Sequence, residues 1–204
     1  METHKKLVLG IFGFGVVGEG LYKVLNQTPS LNATIKKVGI KNSNKKRNAP
    51  AELFTADKNT LLNDSEINVI VELIDDADAA FEIARTAFLN GKSVVSANKK
   101  MIAEHLPELL ELQQTTGTSF LYEAACCASI PVIRNLEEYY DNDLLHSINA
   151  VVNGSTNYIL TKMFEEKLSF KNALIQAQQL GFAESNPALD VEGYDALNKW
   201  TFLL

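Results

Sequence analysis

Short apolar runs alternate with longer amphipathic stretches as far as residue 124. Leu7-Val8-Leu9-Gly10-Ile11-Phe12 reads as a strand. Glu19 to Gln27 sets Leu21, Val24 and Leu25 at helical spacing, and Thr28-Pro29-Ser30 stops that helix. Residues 33–41 alternate as a second strand, and 42–50 are a polar loop. Residues 68–74 are almost continuously apolar, as in a strand buried on both faces. A helix over 77–90 stops at Gly91, a short strand follows over 93–96, a helix over 100–116 closes at Gly117, and 119–124 reads as a further strand. Strict alternation of this kind predicts an α/β fold with parallel pairing through right-handed crossovers.

The pattern changes near Ile130-Pro131, where we place a domain boundary. Residues 145–153 read as one longer strand. Helices follow over about 156–167, 170–180 and from 194 to the end. The expected organisation is a nucleotide-binding domain over 1–130 and a partial α+β domain over 131–204. Trp200-Thr201-Phe202-Leu203-Leu204 lies within an apolar helical pattern with no polar or glycine cap, which reads as a helix that once continued. Some seventy residues are few for an independent core.

Gly13, Gly15 and Gly18 stand directly after the first strand and open the first helix. In G-x-G-x-x-G the first glycine permits a tight turn, the second lets the main chain approach a pyrophosphate, and the third lets helix and strand pack closely. The amides at the helix start then face the phosphates. Glycines in an ordinary strand-to-helix turn produce the same spelling, so the triplet alone does not decide. With the βα alternation around it, it predicts a Rossmann-type doubly wound sheet.

Composition narrows the partners. The 204 residues are 46% hydrophobic and 22% charged, ordinary for a globular protein. A net charge of -6 gives no general reason to expect nucleic-acid binding. The one basic cluster is Lys41-Asn42-Ser43-Asn44-Lys45-Lys46-Arg47. Cys126 and Cys127, the two cysteines, are adjacent, a poor geometry for a disulfide, so a reducing, cytoplasmic setting is expected. No signal peptide or transmembrane segment is expected either. His4, His105 and His146 are scattered, without metal-ligand spacing.

Four further segments carry chemistry. Ser96-Ala97-Asn98-Lys99 puts a lysine just past a strand's carboxyl end, where open α/β sheets hold ligands. Tyr122-Glu123-Ala124 does the same with a carboxylate. Asn153-Gly154-Ser155-Thr156-Asn157-Tyr158 is a polar turn into a helix. Glu184, Asp190, Glu192 and Asp195 form an acidic stretch that ends at Lys199. Asp195 and Lys199, four apart, share a helix face. Spacing alone favours a surface ion pair of little consequence.

Together these segments resemble the homoserine dehydrogenase family. The resemblance runs from Gly13-Phe14-Gly15-Val16-Val17-Gly18 through Val71-Glu72-Leu73-Ile74, Ala97-Asn98-Lys99, Tyr122-Glu123-Ala124 and Ile130-Pro131. It continues through Asn153-Gly154-Ser155-Thr156-Asn157-Tyr158-Ile159-Leu160 and Leu180-Gly181-Phe182-Ala183-Glu184 to Asp190-Val191-Glu192-Gly193-Tyr194-Asp195 and Lys199. The asparagine-glycine turn and the final Asp-x-x-Gly-x-Asp-x-x-x-Lys are its specific parts.

The resemblance implies interconversion of L-homoserine and L-aspartate-4-semialdehyde with NAD or NADP, in threonine and methionine biosynthesis. It implies Lys199 and Lys99 as catalytic lysines. A free lysine titrates near pH ~10.4, so a base at neutral pH needs burial or a neighbouring cation, which Lys99 could supply. Glu184, Asp190 and Asp195 are implied as the substrate's carboxylate partners, since a buried ammonium needs anions. Gly13, Phe14, Gly15, Val16, Val17, Gly18, Lys41 and Lys99 are implied at the cofactor. Glu123, with the carbonyls of Cys126, Ala128 and Ile130, is implied as a sodium site. Ile40-Lys41-Asn42-Ser43 has no carboxylate, which favours NADP over NAD. A homodimer is expected, and neither nucleic acid nor membrane.

Departures from the family pattern are equally legible. Asp75-Asp76 stands where glycines are usual, so two carboxylates near the cofactor could repel phosphates. Ala128-Ser129 replaces a glycine-rich turn. The family also continues well past Lys199. A related semialdehyde or amino-acid dehydrogenase, and a catalytically silent nucleotide-binding module, therefore stay open.

Overall fold

The structure, a computed structural model, describes residues 6–140, 142, 144–183, 186–201 and 203. The strands β1 (Leu7–Phe12), β2 (Ala33–Gly39), β3 (Phe54–Thr55), β4 (Val69–Glu72), β5 (Ser93–Ser96) and β6 (Phe120–Leu121) form one parallel sheet, in the order β3-β2-β1-β4-β5-β6. That order places a topological switch between β1 and β4, where open sheets hold ligands at the strands' carboxyl ends. The expected Rossmann-type α/β class is borne out.

Helices α1 (Val16–Gln27), α2 (Asn59–Leu62), α3 (Ala77–Leu89) and α4 (Lys99–Thr116) cross between strands. Leu21, Tyr22 and Leu25 of α1 pack on Leu9, Ile11, Val38 and Val71 of the sheet. Fully buried Ala80, Ala84, Ala87 and Phe88 of α3, with Met101, Ile102 and Leu109 of α4, supply further core. Phe88 meets Phe120 edge to face at 5.8 Å. Such burial stabilises by about 25 cal/mol per Å² of apolar surface. At the opposite end of the sheet from the glycine turn, the buried Lys92 ammonium donates to the carbonyls of Asp64 and Ile67. Those acceptors satisfy a charge that burial pushes toward its neutral form.

The chain divides into two compact units, Met1–Ala125 and Cys126–Leu204. A short helix, α5 (Glu123–Cys127), follows β6. The second unit holds α6 (Val132–Tyr139), α7 (Gly154–Glu165), α8 (Phe170–Gln179), α9 (Ala188–Val191) and α10 (Tyr194–Thr201). Ile159 of α7 and Ala173 and Ala177 of α8 form its small core, with Ala183.

Two elements differ from the sequence reading. The strand expected over 145–153 does not form. A strand needs a ladder partner, and among its described residues the second unit contains no strand to supply one. Leu145 and Val151 stay exposed. The strand expected over 119–124 ends at Leu121, because Glu123 already opens α5. The sequence reading also missed β3, α2 and α9, which at two to four residues are too short to show a repeat, and the eight-residue α6.

Candidate functional site

The glycine turn is held laterally at the end of β1. Gly13 N–H donates to the Gly39 carbonyl at 3.0 Å, and Leu73 N–H donates to the Phe12 carbonyl at 2.8 Å. Gly13 sits at φ +99°, and a side chain there would meet the Leu73 carbonyl oxygen at 2.7 Å. A Cβ on Gly18 would meet the Gly13 carbonyl oxygen at 2.5 Å. Both positions therefore need glycine for the fold. Gly15 does not: its φ is -89° and a Cβ would meet nothing within 4 Å. The space in front of it is open.

Gly15, the residue before α1, has no side chain to cap its first amides, and no cap hydrogen bond is made there. The other described helices of ten residues or more are capped by Asp76, Asn98, Asn153 and Ser169. Bare first-turn amides carry the positive end of the helix dipole. Val16 and Val17, the first residues of α1, are exposed, whereas the Phe14 ring is buried against Tyr22 and Phe54. Within the motif, Phe14 can offer a ligand its main chain only.

The carboxyl ends of β4 and β5 are tied by a closed ring of hydrogen bonds. Fully buried Glu72 accepts from Ile74 N–H at 2.7 Å and from the Ser96 hydroxyl at 2.5 Å. Ser96 Oγ accepts from Asn98 N–H, and Asn98 Nδ2 donates to the Ile74 carbonyl at 3.0 Å. Asn98 Oδ1 caps α4 through Met101 N–H. Lys99, half-buried, is the first residue of that helix, so the ring sets where its side chain begins. Burial pushes the Glu72 carboxyl above the ordinary carboxylate range, against the two hydrogen bonds, and the Asp75 charge adds to the rise. Asp76, expected to disturb phosphates, caps α3 by accepting from Ala79 N–H at 3.0 Å.

Lys41 is exposed just past β2. The loop beyond it is closed by Arg47, which donates to the carbonyls of Asn42 and Lys45, both at 2.7 Å. Its guanidinium lies 5.3 Å from the centre of the Phe54 ring. Lys45, Lys46, Arg47, Ile40 and Phe54 line a cavity of about 400 Å³ here.

In the second unit, the structure gathers Asp190, Asp195 and Lys199. Asp195 Oδ2 and Lys199 Nζ are 2.8 Å apart, and their side chains are only 12% and 13% exposed. This overturns the reading of a surface ion pair. Lys199 Nζ also donates to the Val152 carbonyl at 2.5 Å. Among the described residues, these acceptors take two of the three N–H groups of an ammonium. Asn153, buried, donates to Asp190 Oδ1 at 2.7 Å and to Asp195 Oδ2 at 3.0 Å. The sequence reading placed Asn153 in a polar turn that carries chemistry and in the family motif but assigned it no role among the site residues. Glu184 and His4 lie outside the described residues, as do Phe202 and Leu204.

Of the residues implied for sodium, Glu123 opens α5, and Cys126 is buried near its end. Ala128 has φ +54° and turns the chain after the helix, while the Ile130 carbonyl accepts from Val132 N–H. Among the described residues, no group of three or more His, Cys, Asp or Glu side chains could hold a metal ion. Carbonyl donors fall outside that description. No helix among them is long and apolar enough to cross a membrane.

Sheet order, an uncapped α1 and a glycine turn open only at Gly15 define a dinucleotide-binding protein of the Rossmann class. Comparison with known proteins specifies the family. The model of the homoserine dehydrogenase NAD-binding domain matches residues 13–123, and that of homoserine dehydrogenase matches 131–204. A homoserine dehydrogenase of Bacillus subtilis is 36% identical over 98% of this chain and 48% of its own length. The crystal structure of a homoserine dehydrogenase from Thiobacillus denitrificans superposes with a TM-score of 0.88 at 32% identity, over 98% of this chain and 48% of that one. A hyperthermophilic archaeal homoserine dehydrogenase in complex with NADPH superposes at 0.83 with 28% identity, over 98% and 69%. The chain belongs to the homoserine dehydrogenase family, and its first unit is that family's NAD-binding domain. It spans about half the length of the curated relatives it matches.

Proposed function

We propose that the chain binds NADP(H) in its first unit and takes part in the interconversion of L-homoserine and L-aspartate-4-semialdehyde. The observation that carries the reaction is the nearly buried pair of Lys199 and Asp195. A lysine in that setting can hold a proton where an alkoxide or aldehyde oxygen binds and deliver it or take it up. The bound nicotinamide supplies hydride transfer to or from the carbinol carbon. Asp195 and Asp190, with Glu184, would hold the substrate ammonium, because such a charge needs anions once water is excluded. Gly15 and the first amides of α1 would cradle the pyrophosphate. Lys99 would orient the nicotinamide side of the cofactor and contribute a positive charge.

NADP is preferred over NAD in this reading. No carboxylate follows β2 to bond a ribose 2′-hydroxyl, and Lys41 together with Lys45, Lys46 and Arg47 suits a 2′-phosphate. Glu123 and the carbonyls of Cys126, Ala128 and Ile130 offer oxygen donors that suit a sodium ion. Pairing of two copies as a homodimer belongs to the same reading.

The test is direct. The full chain is incubated with L-homoserine and either NADP+ or NAD+, and absorbance of the reduced nicotinamide is followed. Turnover that Lys199→Ala abolishes while NADPH binding is kept supports the proposal. NADPH binding without turnover identifies a silent nucleotide-binding module, and turnover with a different alcohol only identifies a related dehydrogenase. Tighter binding of NADH than of NADPH refutes the cofactor preference.

A further inference from the structure

The Asn153 side chain uses its entire hydrogen-bonding capacity. A primary amide has two N–H donors and two acceptor lone pairs. Oδ1 accepts from Thr156 N–H at 2.8 Å and from the Thr156 hydroxyl at 2.9 Å. Nδ2 donates to Asp190 Oδ1 at 2.7 Å and to Asp195 Oδ2 at 3.0 Å. Only one orientation of the amide achieves this, since the backbone N–H of Thr156 demands an acceptor and the two carboxylates demand donors. The residue is 8% exposed.

A helix cap does not require this. Serine, aspartate and asparagine cap about equally well, because capping uses only an oxygen. The two donors are what set asparagine apart, and both are spent on carboxylates from a distant part of the chain, 37 and 42 residues along. Two carboxylates sharing a site repel each other, and a neutral N–H on each offsets that without adding charge. The oxygen that Asn153 holds on Asp195 is the one that pairs with Lys199. The other acceptor of Lys199 is the carbonyl of Val152, the residue directly before Asn153. Both anchors of the ammonium are thus referred to one point, the first turn of α7.

We infer that Asn153 is a positioning residue that clamps Asp190 and Asp195 through its two amide hydrogens and thereby sets where Lys199 presents its ammonium. This rests on the reading of Lys199 as the proton-transfer group. A cap alone would leave the acidic segment and the lysine unaffected by the choice among asparagine, aspartate and serine.

The experiment compares the unmodified full chain with Asn153→Asp and Asn153→Ser. Both variants keep an oxygen to cap α7 and lack the amide's pair of N–H donors; serine retains a single O–H on a shorter side chain, and Asn153→Asp adds a third carboxylate. Hydrogen exchange followed by mass spectrometry reads α7 separately from the segment 187–201. The expected result is α7 protection within about threefold of the unmodified chain and protection over 187–201 lower by about tenfold or more, with Asn153→Asp the worse. Turnover with homoserine should fall about a hundredfold in Asn153→Asp, with KM for NADP+ unchanged, as expected for a misplaced reacting group. Protection over 187–201 that stays within threefold in both variants overturns the inference. If Asn153→Asp fails to fold, judged by circular dichroism, Asn153→Ser decides. If the unmodified chain has no turnover, the functional reading fails there, and hydrogen exchange still decides whether Asn153 holds the segment.

Discussion

Alanine at each of three glycines in the first unit separates the needs of the fold from those of a ligand. Gly13→Ala places a Cβ at φ +99° and 2.7 Å from the Leu73 carbonyl oxygen. Left-handed backbone costs a non-glycine residue about 1–2 kcal/mol, and relieving a contact that short adds to the strain, for a total of about 2–4 kcal/mol. The first unit should lose on the order of 10 °C in its transition midpoint. Gly15→Ala meets nothing within 4 Å and has an extended, negative φ. Its stability should match the unmodified chain or exceed it by about 0.4–1 kcal/mol, since alanine narrows the unfolded ensemble. Binding is another matter. The added methyl fills the space through which a pyrophosphate reaches the α1 amides, and NADPH affinity should fall by about 10- to 100-fold, or about 1.4–2.7 kcal/mol. Gly20→Ala is the control, in the same helix and with nothing within 4 Å. It should stabilise α1 by about 0.5–1 kcal/mol and leave binding unchanged. Differential scanning calorimetry and titration of NADPH fluorescence measure the two quantities on the same samples. NADPH binding by Gly15→Ala as tight as by the unmodified chain would refute the assignment of that open space to the pyrophosphate. A Gly15→Ala chain as unstable as Gly13→Ala would refute the geometry itself.

Two further outcomes follow from the polar groups beside the glycine turn. The Glu72 carboxyl is pushed above its ordinary value by burial, so the folded chain holds that proton more tightly than the unfolded one. Its contribution to stability is complete below the unfolded value and is lost as pH rises through the higher folded value. Glu72→Gln removes that loss, so its melting temperature relative to the unmodified chain should rise between pH 4 and pH 7; a difference that stays flat would show that Glu72 does not titrate across that window. Asp76→Ala removes the cap from α3 and should cost about 1 kcal/mol in urea unfolding, with NADPH binding no weaker; weaker binding would place Asp76 in the cofactor site rather than at the helix.

Much of the first unit is legible because its signals are local. The apolar run 68–74 can bury both faces only in a covered parallel sheet, and β4 lies between β1 and β5. The start of α1 is harder to read. Val16 and Val17 are exposed at positions that break the helical stripe, and a helix read from periodicity alone begins at Glu19. The segment 145–153 misled for a different reason. Apolar alternation records that a strand would suit those residues, whereas forming one depends on a neighbour elsewhere in the chain.

The second unit's cluster was half legible for a related reason. Asp195 and Lys199 share a helix face by spacing, and spacing cannot distinguish a surface pair from a nearly buried one. The difference comes from the carbonyl of Val152 and the amide of Asn153, more than forty residues earlier. Burial of an ion pair is costly unless its remaining lone pairs and protons find partners, and the polar turn before α7 provides them. The asparagine was visible in the sequence from the start as a helix-start residue. What local sequence could not show is that its two donors reach past its own helix to the carboxylates, so that one side chain serves both the turn and the acidic segment. A substitution that preserves the cap can therefore still release both carboxylates.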